Sequence, residues 1–235
     1  MGSPNRDRLV RTARLLRPLL GEFVFVGGQV AELLVTDATV VRMRPTDDVD
    51  VVVPVTTRQA YHDLQMQLMA LGFAPDQRAG APICRMRTGD DLILDVMPVD
   101  EEILGFSNRW YAYAMESATG FMLEPGLVVR IAASTAFLAT KWVAFASRGA
   151  ADPMSSHDLE DLITVVAGRD EIVNDVRAAP AAVRQFIRHE TSAFLDAPWA
   201  DGVLEGNLPD ARRVPGLVEA VTRRFQQLAS LNGAG

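Results

Sequence analysis

Phe25-Val26-Gly27-Gly28-Gln29-Val30, followed further along by Thr46-Asp47-Asp48-Val49-Asp50-Val51-Val52-Val53, is the part of the chain that decides its fold. The valine run predicts a strand entering a core with its charges gathered at one end. Side chains alternate faces along a strand, so Asp48 and Asp50 share a face and Asp47 points away. Two carboxylates about 5 Å apart repel by roughly 3 kcal/mol at an effective dielectric near 20. Folding tolerates this if water screens them, if they share a proton, or if a cation sits between them. Read alone, the five residues from Thr46 also suit a solvated acidic turn.

Upstream, Leu9, Ala13, Leu16 and Leu20 recur at helical spacing and predict an opening amphipathic helix that ends near Pro18 and Gly21. Phe23 to Val26 reads as a short strand, and the glycine pair as a tight turn into a helix from Gln29. Asp37 to Met43 is β-branched and leads toward the acidic strand. Downstream, Leu64, Leu68 and Leu71 form one stripe of a helix over Thr57 to Leu71, closed by Gly72. Strands are predicted over Ile83 to Arg87 and Leu92 to Met97, joined by a Thr88-Gly89-Asp90 hairpin.

The pattern becomes helical after about Val129. The firmest helices run from Ala132 to Ser147 and from Ser156 to Ala167, with Ser156 as N-cap and acidic residues in the first turn. A mixed sheet followed by helices is an α+β arrangement: a catalytic lobe over 1–130 and a helical lobe over 131–235.

The formal net charge of -7 argues against a broad cationic face of the kind that coats nucleic acid, while local arginine pairs leave room for a basic groove. Cys84 is the only cysteine, which excludes an intrachain disulfide and a thiolate metal site. His62, His157 and His189 form no recognisable ligand pair, so zinc is disfavoured. With no signal-peptide core and no apolar span, a cytoplasmic protein without membrane contact is expected.

Asp95 lies within Leu92-Ile93-Leu94-Asp95-Val96-Met97. An ionised carboxylate among these apolar neighbours needs a partner, because burial alone favours protonation. If its strand lies beside the acidic strand, Asp95 completes a triad with Asp48 and Asp50. Three carboxylates without histidine or cysteine suit a hard cation such as Mg²⁺ or Mn²⁺. A core arginine or a backbone amide would be the plain structural partner instead. Gly27-Gly28 before a helix resembles an anion cradle, although such pairs are usually only turns.

Together these elements resemble the nucleotidyltransferase superfamily, and within it the AbiEii-type toxins of type IV toxin–antitoxin systems. The matching residues are Gly27-Gly28, the Arg44-x-Thr46-x-Asp48-x-Asp50 block and Asp95. Lys141 on its helix, Arg148, and Ser156-His157-Asp158-Leu159-Glu160-Asp161-Leu162 complete the ordered set. The resemblance covers roughly residues 20 to 170. It implies that Gly27 and Gly28 hold triphosphate oxygens, and that Arg44 and Thr46 belong to the nucleotide-binding block, Thr46 supporting the loop or meeting a phosphate. It implies that Asp48 and Asp50 bind Mg²⁺, with Asp95 sharing a second ion or acting as general base. Lys141 would neutralise triphosphate charge, and Asp158 would position Lys141 or the acceptor. Two departures stand out: Gly-Gly replaces the common Gly-Ser, and His157 stands where some relatives carry lysine.

The resemblance implies transfer of NMP from an NTP to an acceptor hydroxyl, with the 3′ end of tRNA or another RNA as acceptor and a cognate antitoxin as partner. Arg184, Arg188, Arg212, Arg213, Arg223 and Arg224 are candidate phosphate contacts. Two other readings stay open: a small-molecule, aminoglycoside-like nucleotidyltransferase, which the acidic charge favours, and a non-catalytic nucleotide- or RNA-binding module of the same fold. On the residues alone, Lys141 would snorkel to solvent, Asp161 would be a helix-dipole charge, and Trp110, Tyr111 and Tyr113 would be core or a base-stacking surface.

Overall fold

Both faces of the valine run are covered: Val49, Val51, Val52 and Val53 are fully buried, as a continuous apolar run in a central strand requires. The computed structural model of the chain describes residues 3–39, 41–208 and 214–231. The chain divides into two compact units, one of Met1–Val30 with Pro45–Ala133 and one of Ala31–Arg44 with Ser134–Gly235. The segment 31–44 thus belongs with the helical unit.

In the first unit the elements run α1 (Pro4–Leu15), β1 (Val24–Val26), α2 (Gly28–Leu34, which passes into the second unit), β2 (Asp48–Val53) and α3 (Arg58–Ala70). They continue with β3 (Ala74–Pro75), β4 (Arg85–Arg87), β5 (Ile93–Pro98), α4 (Glu101–Leu104), α5 (Tyr111–Glu116), β6 (Thr119–Glu124) and β7 (Leu127–Ile131). Among the described residues the strands form one seven-stranded sheet in the order β3-β4-β5-β2-β1-β7-β6. It is mixed: β2 runs parallel to β5 and antiparallel to β1, while β1 is parallel to β7. The α+β class follows.

Local chemistry explains the element ends. The Ser3 hydroxyl accepts from the Arg6 amide to cap α1, and the Thr57 hydroxyl accepts from the Ala60 amide to cap α3. Leu9, Ala13 and Leu16 are buried as their spacing predicts. Past Leu16 the chain tightens into a 3₁₀ turn, Arg17–Glu22, around Pro18. The β4–β5 hairpin is present, but β4 begins at Arg85, and Ile83 is 67% exposed outside it. The β6–β7 hairpin carries no prediction from the sequence.

The second unit holds α6 (Ser134–Ala144), α7 (His157–Gly168), α8 (Ile172–Ala178), α9 (Ala181–Leu195), α10 (Ala200–Asn207) and α11 (Leu217–Ala229). Trp142, Phe194 and Phe225 form a ring cluster in its core, with Phe194 5.8 Å from Trp142 and 5.1 Å from Phe225 between centroids. The helix expected to reach Ser147 ends at Ala144 and widens into a π turn, Phe145–Gly149. The Ser156 hydroxyl accepts from the Leu159 amide, capping α7 where the sequence places the cap. Around 37–43 there is no strand among the described residues. The Thr36 and Asp37 amides both bond to the Gly168 carbonyl, and the Thr39 amide donates to Asp37 Oδ1, so these three amides are satisfied without a sheet. No helix among the described residues is long and apolar enough to cross a membrane.

Candidate active site

The sheet register brings the acidic residues together. Asp50 on β2 stands opposite Asp95 on the parallel neighbour β5, and opposite Val26 on β1. Paired positions share a face, so Asp48, Asp50 and Asp95 converge. Their ligand atoms all lie within 4.8 Å of one another. Asp95 is buried and the other two are half-buried. Asp47 turns out to solvent toward Arg8, 3.4 Å away.

Val26 is followed by Gly27 at φ +72°, in the left-handed region that favours glycine. A Cβ on Gly27 would lie 1.9 Å from Oδ2 of Asp50. Only a residue without a side chain leaves that oxygen its place. Gly28 opens α2 directly afterwards.

Thr46 is buried, and it holds the entry to β2. Its hydroxyl donates to the Asp48 carbonyl (3.1 Å), and its amide donates to Oδ1 of Asn5 (3.0 Å). Its carbonyl accepts from Gln29 (3.2 Å) and from Arg8. Thr46 thus braces the turn through its neighbours. Asn5 and Gln29, both buried, are supports that sequence reasoning missed.

The other missed residue is Arg85. It stands opposite Asp95 in the antiparallel β4–β5 pair. Its Nε donates to Oδ1 of Asp95 at 2.8 Å, and its Nη2 donates both to Oδ2 of Asp95 at 2.7 Å and to Oδ2 of Asp48 at 2.8 Å. This fork is the bidentate geometry in which arginine binds carboxylate best. The hydrogen bond to Asp95 holds the guanidinium proton more firmly than in an ordinary arginine. Nearby, burial pushes the Cys84 thiol up to about 12, with further push from the Asp95 and Asp50 charges.

The donor set fits a divalent metal ion: three carboxylates, all oxygen, converging beside a glycine turn. The oxygens that Arg85 engages retain acceptor capacity, since each carboxylate offers about four lone-pair sites.

In the helical unit, Lys141 and Asp158 do meet. Lys141 is buried on α6, with Nζ 3.0 Å from Asp158 and 2.5 Å from Asp161, both on the first turns of α7. Residues three apart share a helix face, which is how both carboxylates reach one ammonium. Arg148 adds two bonds to Asp158, at 2.8 and 3.0 Å, and Arg44 lies 3.3 Å from Asp161. Burial works against the Asp158 charge, but Arg148 and Lys141 outweigh it and hold its carboxyl below the usual range. Burial likewise opposes the Lys141 charge, and Asp161 and Asp158 overcome it to keep the ammonium protonated. Lys141 does not snorkel to solvent; it and Asp161 are buried ion partners.

Arg184 and Arg224 line a cavity of about 620 Å³ with Arg177 and Asp170. Arg184 donates to the carbonyls of Arg177 and Ala179, and Arg224 to those of Val166 and Ala167 and to Asp170. Both therefore serve helix C-termini. Arg188 and Arg223 are exposed, and Arg212 and Arg213 lie outside the described residues. Trp110 and Tyr113 are half-buried and meet edge to face at 6.3 Å.

No family model matches the chain, and no curated protein matches it significantly. Among solved structures it is similar to JHP933 from Helicobacter pylori, at 14% identity and a TM-score of 0.44, over 97% of this chain and 88% of that one. It is also similar to a structure described as a "putative nucleotidyltransferase from H. pylori", at 10% identity and a TM-score of 0.42, over 97% of this chain and 91% of that one.

Proposed function

We propose that the chain is a nucleotidyltransferase that moves NMP from an NTP to an acceptor hydroxyl and releases pyrophosphate. The observation that carries this reading is the convergence of Asp48, Asp50 and Asp95 within 4.8 Å, beside a glycine turn that no side chain could share. Asp48 and Asp50 would hold Mg²⁺ or Mn²⁺, with Asp95 as third ligand or as the group that accepts the acceptor's proton. A divalent cation held there supplies charge stabilisation to the phosphoryl oxygens and lowers the pKa of an attacking hydroxyl. Gly27 and Gly28 would present backbone amides to phosphate oxygens. Thr46, braced by Asn5 and Gln29, keeps β2 in the register that aims both aspartates at one point. Lys141, with Asp158 and Arg148, is the cationic cluster we assign to triphosphate charge, and Arg44 supports it through Asp161.

The acceptor we propose is RNA, with the tRNA 3′ end first. This follows the AbiEii resemblance, which also suggests a toxin held in check by a protein antitoxin. Metal and NTP binding test the core of the reading together. The unmutated chain is expected to bind Mg²⁺ and NTP interdependently and to release pyrophosphate, and Asp48→Asn and Asp50→Asn to lose all three.

One observation favours a second reading. Arg85 already neutralises part of the triad, as the arginine of a non-catalytic scaffold would. A chain that binds neither Mg²⁺ nor NTP would be that scaffold.

A further inference from the structure

Three carboxylates bring three negative charges to one point of the sheet, and Arg85 returns one positive charge to them. The Arg85 fork takes both oxygens of Asp95 and one oxygen of Asp48. It is held there by its register opposite Asp95, and its side chain is only 20% exposed. Guanidinium does not give up its proton in a protein, so this is a permanent cation built into the triad. One divalent cation beside it adds two further positive charges to the same point. A second would have to coordinate Asp95 or Asp48 against a fixed positive charge a few ångströms away.

We infer that Arg85 takes the place of a second metal ion, so that the triad binds one divalent cation per chain. The inference rests on the metal-dependent reading above and deepens it. Asp95 then anchors Arg85 in addition to the role given to it above. Asp48 and Asp50 would hold the single ion. Arg85 is a positioning residue in this account: it sets the charge and orientation of the carboxylates and does not itself touch the reacting atoms.

The test counts bound Mn²⁺ by electron paramagnetic resonance, on the full chain with a non-hydrolysable NTP analogue present. The unmutated chain is expected to hold one ion and Arg85→Gln two. Arg85→Lys, which keeps the charge but loses the fork, is expected to hold one and so to separate charge from shape. Two ions in the unmutated chain would overturn the inference even if Arg85→Gln failed to fold. So would an unchanged count and an unchanged affinity in Arg85→Gln, with the metal reading left standing. No Mn²⁺ bound by any of the three would remove the inference and the metal reading together.

Discussion

Gly27 and Asp50 occupy one space: a methyl group on the glycine would sit 1.9 Å from the Oδ2 of the aspartate. Register makes this so, because Val26 is paired with Asp50 and the chain turns at the next residue. The glycine turn and the acidic strand, separate in sequence, form one structural unit.

Gly27→Ala therefore meets two penalties, the positive φ of +72° and the collision with Asp50. The backbone penalty alone is about 1–2 kcal/mol. In urea denaturation, Gly27→Ala should lose at least that much. Gly27→Ala combined with Asp50→Ala should be less destabilised than the two single variants added, since the two closest contacts, with Oδ2 and Cγ, are gone and only the Cβ at 3.0 Å remains. Strict additivity would show that the two side chains do not share the space.

Lys141 joins two buried carboxylates. Lys141→Met leaves Asp161 and Asp158 with fewer partners in a buried setting, and removing one partner of a buried pair costs about 3 kcal/mol or more. The expected result is a lower urea midpoint with an unchanged m-value. A loss of activity at unaltered stability would instead mean that the lysine acts on substrate alone.

The pH dependence of stability follows from Asp158. Burial opposes its charge, but Arg148 and Lys141 hold its folded pKa below the ordinary value. Its contribution is then fully present above the unfolded pKa of about 3.9 and is lost as pH falls through the lower folded value. Arg148→Ala raises the folded pKa toward the unfolded value, so less stability should be lost in acid, over a narrower pH window. The gap between the two proteins should be widest at neutral pH and should close in strong acid. A constant gap across the range would contradict this assignment.

Cys84 is 3% exposed, and its thiol is pushed up to about 12, first by burial and then by the nearby Asp95 and Asp50 charges. At pH 8 the native chain should react with an aromatic disulfide reagent only as fast as it opens, and denaturant should release the thiol at once. Immediate reaction of the native protein would mean that the β4 edge is open.

Much of the site was legible because its signals are local. Asp48 and Asp50 share a face by alternation alone, Gly27-Gly28 marks a turn, and Ser156 is a cap whose partner lies three residues on. Asp95 stood out as a charge in an apolar run. Arg85 did not, because Arg85-Met86-Arg87 is symmetrical in sequence. Only the pairing of β4 with β5 distinguishes Arg85, opposite Asp95, from Arg87, opposite Ile93. The Lys141 cluster was half legible: Asp158 and Asp161 lie three apart on one helix, but the apolar context of Lys141 hides which charges it meets. The β6–β7 hairpin went unread because exposed Met122 and Val128 blur its alternation. The stretch at 37–43 is rich in β-branched residues, which favour strands, while the amides of Thr36 and Asp37 at its start bond to Gly168 far along the chain.

Nucleotide transfer at the carboxylate triad is tested by following the transfer itself. The chain is incubated with Mg²⁺, total tRNA and each α-labelled NTP in turn, beside Asp50→Asn. Label covalently joined to tRNA is expected with the unmutated protein, with one NTP preferred, and none with Asp50→Asn. Equal labelling by both proteins, or no labelling together with no Mg²⁺-dependent NTP binding, would contradict it.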